Sequence, residues 1–186
     1  MRRKDREMNK EFAYSVIDKA NHGTLSVMDK NGEPYGVPLS IIRKDNALYF
    51  HAAKEGKKNN IFKDRPIVSI SFVGETKVPD NYSNEELDEI SKDKSKMSLL
   101  VSKVFTTEYE SAIVKGRIEL VESHDEKIKA LTLICSKYTP DKMQYVGTAI
   151  KSGIERVSVY KIEIDDISAK RKKYDSQGKE MKWGRI

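Results

Sequence analysis

The chain carries one cysteine, Cys135, in 186 residues, so no internal disulfide can form. That fits a reducing compartment, and the expected location is cytoplasmic. Cys135 sits in the apolar run Leu131-Thr132-Leu133-Ile134-Cys135 and reads as a structural thiol, not a nucleophile. The three histidines, His22, His51 and His124, fall in separate segments without ligand spacing, so no metal is expected. No apolar stretch approaches the roughly 18 residues that span a bilayer, and the basic N-terminus lacks an apolar signal core. No membrane association is expected. Gly-x-Ser-x-Gly, the P-loop and Gly-x-Gly-x-x-Gly are all absent, which removes the serine-hydrolase elbow and the two common nucleotide cradles.

Charge, by contrast, is plentiful. Charged residues make up 34%, against about 25% in ordinary domains. The net charge is +6 and the isoelectric point about 9.2, compatible with nucleic acid or a phosphate ligand, but 29 acidic residues are mixed in throughout. A nucleic-acid-binding barrel would need aromatics exposed on a basic face. Tyr35, Tyr49 and Phe50 fit a sheet core or a ligand's neighbours better, so no nucleic acid is expected. The length suits a single domain over residues 1–186.

Residues 9–20 have helical spacing at Phe12, Ala13, Val16, Ile17 and Ala20, with Gly23 as the expected C′ stop. Thr24 to Met28 reads as a strand, and Asn31-Gly32 is a strong hairpin signal. Tyr35 to Arg43 and Ala47 to Ala52 read as two strands around a turn at Asp45-Asn46, followed by a short helix over Lys57–Asp64. Pro38 marks its strand as an edge or a bulge, because proline cannot donate to a ladder. Ile67 to Val73 is a further strand. Residues 74–97 change to loop and capped-helix character and read as an insertion. Val101 to Val121 reads as strand again, with Gly116 as a bulge or bend. Helices are expected from His124 to Tyr138 and from Lys142 to Ser152, then a last strand from Val157 to Ile164, a turn at Asp165-Asp166, and an extension of the edge over Ile167 to Lys170. The fold class is mainly β (α+β), with about six antiparallel strands and flanking helices.

The stretch from Tyr35 to Lys58 carries the candidate chemistry. A strand ending on His51 leads into a helix opening on Gly56-Lys57-Lys58, where free backbone N–H groups and two lysines favour an anion. Two readings stand on these residues: a phosphate pocket beside a sheet edge, or a solvated basic helix start.

The blocks Tyr35-x-x-Pro38-Leu39, Tyr49-Phe50-His51-x-Ala53 and Gly56-Lys57-Lys58 resemble the FMN-binding half of the nitroimidazole-resistance proteins, within the pyridoxamine 5'-phosphate oxidase-like flavoproteins. The opening Met1-Arg2-Arg3-Lys4-Asp5-Arg6-Glu7 is similar to the start of that family, as are Glu110 to Gly116 and Glu126 to Leu131. The resemblance implies a split β-barrel that binds FMN at a homodimer interface. It places Val37, Pro38, Leu39 and Ser40 along the flavin ring, and His51, Ala52, Lys57 and Lys58 at the phosphate. Tyr109 and Ser111 match positions approaching the flavin, from the other subunit in one arrangement. His51 matches a histidine on the substrate face. The implied activity is reduction of a small organic molecule, nitroaromatics being the class in view, with an external nicotinamide as donor. The alternative is a non-catalytic flavin- or haem-binding module. The arginine-led strand of true pyridoxamine phosphate oxidases is replaced here by Tyr35-Gly36-Val37-Pro38, and their C-terminal Arg-x-His pattern is absent, which argues against oxidation of vitamin B6 phosphates.

Overall fold

The computed structural model describes residues 3–64 and 66–182. Its elements in chain order are β1 (Glu7–Met8), α1 (Lys10–Lys19), β2 (Gly23–Met28), β3 (Pro34–Leu39), β4 (Ile42–Lys44), β5 (Ala47–Ala53), α2 (Lys57–Phe62), β6 (Ile67–Lys77), α3 (Asn84–Lys92), α4 (Met97–Leu99), β7 (Glu108–Leu120), α5 (His124–Tyr138), α6 (Val146–Gly153) and β8 (Val157–Lys172). All strands join one antiparallel sheet in the order β3-β2-β6-β7-β8-β5-β4, with β1 paired to β8.

The sheet's two end strands, β3 and β4, are consecutive in sequence. Only Ser40 and Ile41 separate them, so the sheet's edges approach within about 10 Å at that corner. No pairing between β3 and β4 closes the sheet, which is the split of a split barrel. This corrects the expectation of one strand from Tyr35 to Arg43. The crossing is held by α5: the Tyr138 hydroxyl donates to the Ile41 carbonyl (2.8 Å) and accepts from the Ile41 N–H (2.9 Å), and Lys137 Nζ donates to the same carbonyl (3.0 Å).

Alternation sets the interior. Leu25 and Val27, Leu48, Phe50 and Ala52, Val68, Ile70 and Phe72, Ala112 and Val114, and Ile162 and Ile164 point inward, and most are fully buried. Helix α1 adds Ala13, Val16 and Ile17, and α2 adds Ile61 and Phe62 to the same core. On the outer surface α5 lays Ala130 and Leu131 against Val121 and Val159.

Several boundaries differ from the sequence reading. Asn9 caps α1, accepting from Phe12 N–H (2.9 Å). The chain leaves that helix at Ala20 in an extended conformation, so Gly23 opens β2 and is not a C′ glycine. Residues 100–104 form a π-helical turn, and β7 starts only at Glu108: a short apolar run does not distinguish strand from helix. Residues 140–145 form a 3-10 helix ahead of α6. Asp165 and Asp166 do not turn the chain. Strand β8 continues to Lys172, with Asp165 as the extra residue of a bulge facing Lys115 and Gly116. A Cβ at Gly116 would lie 2.0 Å from the Glu163 carbonyl oxygen, so only glycine fits there. Cys135 is half-buried on α5, and Trp183 lies outside the described residues.

Candidate functional site

Strand β5 ends with alternating faces. Ala52 is buried in the barrel, so it offers a ligand only its backbone, whereas His51 and Ala53 face outward. The chain then reverses at Gly56, whose φ of +115° suits glycine alone, and enters α2 at Lys57. With six residues, α2 is too short to carry much of a dipole. Of the two features the sequence offered an anion here, the lysine side chains carry more than the short helix does.

The position of α2 is fixed from below. Asn59 is buried, donates through its amide to the Ala53 carbonyl and accepts from the Tyr160 hydroxyl (2.6 Å). Phe62 packs edge-on to Phe50 (5.9 Å between centroids) and to Tyr160 (5.2 Å). These contacts tie the first turn of α2 to the last residue of β5. Asn59 was not singled out from the sequence; its i, i+3 spacing to Phe62 was the signal that it faces inward.

Across from α2 stands β3. Lys57 Nζ sits 5.4 Å from the centroid of the Tyr35 ring, so the start of α2 and the edge strand meet. Along β3, Val37 packs partly on the core and Leu39 is buried, while Pro38 and Ser40 are exposed. Pro38 lies opposite Thr24 of β2, and no strand among the described residues pairs the other edge of β3. Nothing lies within 4 Å of where a Gly36 Cβ would stand, so this strand surface is bare.

His51 keeps an open side, yet its pKa is lowered, first by desolvation and second by the charge of Lys58. It is therefore neutral at pH 7 and able to donate from one ring nitrogen.

Tyr109 and Ser111 are not brought to this place within one chain. Ser111 pairs with Lys170 of β8 and His51 with Val159, eleven residues apart on the same strand, or roughly 35 Å of strand path. Both are half-buried on β7. Ser111 shares the outward side of the sheet with Ile113, Val73 and Ile67, which are 43%, 59% and 63% exposed, and with the small residues Thr24, Ser26, Ser69 and Ser71.

A groove of about 790 Å³ lies between α5 and the β4–β5 hairpin, but none of the predicted site residues lines it. Tyr49 in that groove donates to Glu126 (2.9 Å), and burial plus this bond push its pKa up to about 12. That bonded phenol and the fully buried Phe50 both belong to the sheet. Among the described residues no group of histidine, cysteine and acidic side chains could hold a metal, and no helix is long and apolar enough to cross a membrane.

Comparison with known proteins adds to this geometry. The family described as pyridoxamine 5'-phosphate oxidase matches residues 9–171. Comparison with curated protein sequences gives no match. Among solved structures, the chain is similar to a candidate 5-nitroimidazole antibiotic resistance protein from Bacteroides thetaiotaomicron, at 23% identity and a TM-score of 0.64 over 89% of this chain and 86% of that one. It is also similar to an FAD and haem binding protein from Mycobacterium smegmatis, at 15% identity and a TM-score of 0.69 over 90% of this chain and 73% of that one. A third similar structure is an FAD-binding protein from Mesorhizobium loti, at 18% identity and a TM-score of 0.53 over 90% and 98% of the two chains. At these identities the likeness establishes the split-barrel fold.

Proposed function

Because the chain belongs to the pyridoxamine 5'-phosphate oxidase family, we propose that it binds an FMN moiety at the junction of β3, β5 and α2 and reduces a small organic substrate, nitroaromatics included. The observation that carries the reading is the meeting of Lys57 with Tyr35, which sets one lysine beside a bare, unpaired sheet edge while the charge of Lys58 bears on His51. Lys57 and Lys58 hold the phosphate as point charges, joined by the backbone around Ala52. Val37 to Ser40 lie along the ring, with Leu39 contributing backbone only because its side chain is buried. Bound flavin supplies the electrons, delivered to it by an external nicotinamide.

His51 faces outward beside the phosphate site and is the residue that meets the substrate. As a neutral imidazole it hydrogen-bonds a nitro or carbonyl oxygen, orienting the substrate without adding charge. The apolar and small outward row around Ile113 is the seam of a homodimer, which brings Tyr109 and Ser111 of the partner subunit to the flavin. Among the described residues, the cations placed at the site are the lysines Lys57 and Lys58 rather than arginines.

The test is a visible spectrum of the purified protein, with FMN added, followed by gel filtration. Oxidised flavin bands travelling with a dimer are expected. Changing Lys57→Ala together with Lys58→Ala should weaken FMN at least about tenfold, equivalent to about 1.4 kcal/mol. Unchanged affinity would overturn the phosphate placement. A haem spectrum in place of a flavin one would favour the non-catalytic reading.

A further inference from the structure

Helix α5 ends at the split of the barrel. It stops at Tyr138, where Thr139 leaves the helical conformation and Pro140 follows. Its last two residues reach the crossing between β3 and β4. Tyr138 is half-buried there, and burial pushes its phenol pKa up, so at neutral pH the hydroxyl has both a proton to give and a lone pair to receive with. Both are spent on one residue: the hydroxyl donates to the Ile41 carbonyl (2.8 Å) and accepts from the Ile41 N–H (2.9 Å). Lys137 Nζ donates to the same carbonyl (3.0 Å) and to the Ile17 carbonyl of α1 (3.1 Å). The Ile41 side chain is fully buried, so the residue is fixed through its side chain and through both of its backbone groups.

One of these bonds acts on a neighbour. The Ile41 N–H and the Ser40 carbonyl belong to one planar trans peptide, so they point in opposite directions. With the N–H drawn to Tyr138, the Ser40 carbonyl is turned away from α5. The strand leading to it gives the same direction. Pro38 has no N–H and lies on an end strand, where its nitrogen faces the edge that lacks a partner. Backbone groups alternate sides along an antiparallel strand, so those of Ser40, two residues on, face the bare edge as those of Pro38 do. Ser40 is exposed, and among the described residues no donor bonds its carbonyl. A carbonyl fixed in direction offers a ligand's N–H an acceptor without the ordering cost of a mobile one. Oxidised isoalloxazine carries a single N–H, at N3 on its pyrimidine edge.

We propose that Tyr138 is a positioning residue for the flavin: by holding the Ile41 N–H it aims the Ser40 carbonyl at the N3–H of the isoalloxazine ring. This rests on the flavin reading above and names the contact that sets the ring along β3. Lys137 bonds only the Ile41 carbonyl, which belongs to the next peptide, so it steadies the crossing without setting the Ser40 carbonyl.

The experiment is a set of fluorescence titrations of the full chain with FMN and with N3-methyl FMN, in which the ring's N–H is replaced. The unaltered protein should bind FMN at least about tenfold more tightly than the methylated probe. Tyr138→Phe keeps the ring and removes the hydroxyl, while Lys137 still serves the Ile41 carbonyl. It should weaken FMN at least about fivefold and bring the two ligands within about twofold of each other. Lys137→Met should lower stability in a urea melt yet keep the preference for FMN. A purely structural Tyr138 would weaken both ligands equally and leave the preference intact, which would overturn the proposal. Equal affinities in the unaltered protein would overturn it too, whether or not Tyr138→Phe folds, and would leave the FMN site standing. Failure of both ligands to bind would overturn the flavin reading and this inference together.

Discussion

The thirteen residues between β5 and β6 (54–66) and the thirty between β6 and β7 (78–107) both leave the sheet and return to it, but they are fastened differently. The shorter excursion buries Asn59, Ile61 and Phe62 in the barrel. The longer one buries little among its helices beyond Ile90, and leaves Val78, Val101 and Phe105 68%, 73% and 79% exposed. Its ties are superficial: Lys103 donates to the Gly178 carbonyl and covers the Tyr174 ring at 3.5 Å, and the Tyr174 hydroxyl donates to the Ser102 carbonyl (2.9 Å). Local stability follows buried apolar contact more than segment length. A ligand-positioning element therefore belongs on the short excursion, and substitutions on the long one should be tolerated.

The sharpest challenge to that contrast is Phe62→Ala. It removes a 2%-exposed ring from an aromatic trio and should cost about 3–5 kcal/mol in a urea melt. Retention of full stability would mean that α2 is not anchored as described. Next in size is Asn59→Ala. It strips the Tyr160 hydroxyl and the Ala53 carbonyl of a buried partner, with an expected loss of about 1–3 kcal/mol. FMN affinity should fall with it although Lys57 and Lys58 are untouched; stability lost with affinity intact would make Asn59 purely structural. On the long excursion, Val101→Ser with Phe105→Ser should shift stability by no more than about 0.5 kcal/mol by the same melt. A large loss there would show that the exposed apolar residues are covered in the working protein.

The smallest effect is a titration. Desolvation, and then Lys58, hold the His51 pKa below its ordinary 6.5, so the unfolded chain takes up the proton more readily than the folded one. The contribution of His51 to stability is therefore present above about pH 6.5 and lost as acid carries the pH down through the folded pKa. Lys58→Ala should raise the imidazole midpoint seen by NMR while leaving it below 6.5, because the desolvation persists. An unmoved midpoint would place Lys58 away from the ring.

Much of this was readable from the sequence where physics is local. Ser83 caps the helix of the long excursion as its capped-start sequence suggests, Asn31-Gly32 lies in the loop of a hairpin, and Pro38 sits on an end strand because a missing donor is tolerated there. What escaped depends on distant partners. Ser40 and Ile41 continue the alternation of β3, and only the hydroxyl of Tyr138, almost a hundred residues away, shows that the chain crosses the barrel there. Asp165-Asp166 carries turn chemistry, yet β7 pairs through that region, Lys115 with Asp166 and Gly116 with Ile164, and keeps β8 in the sheet. In the candidate site, the lysines and His51 were visible as polar residues closing an apolar strand. Asn59 was not, because its role exists only once Tyr160 has arrived.

The strand order has a consequence for how the molecule is made. Strand β8 pairs with β1, β5 and β7, so the centre of the sheet is completed by the last strand of the described chain. Tyr49 meets Lys161 and Glu7 meets Lys170, loops of more than a hundred residues whose closure entropy must be met before the pairing repays it. During synthesis, β5 and β7 therefore wait with unpaired edges until β8 is released, and refolding should be slow and sensitive to protein concentration.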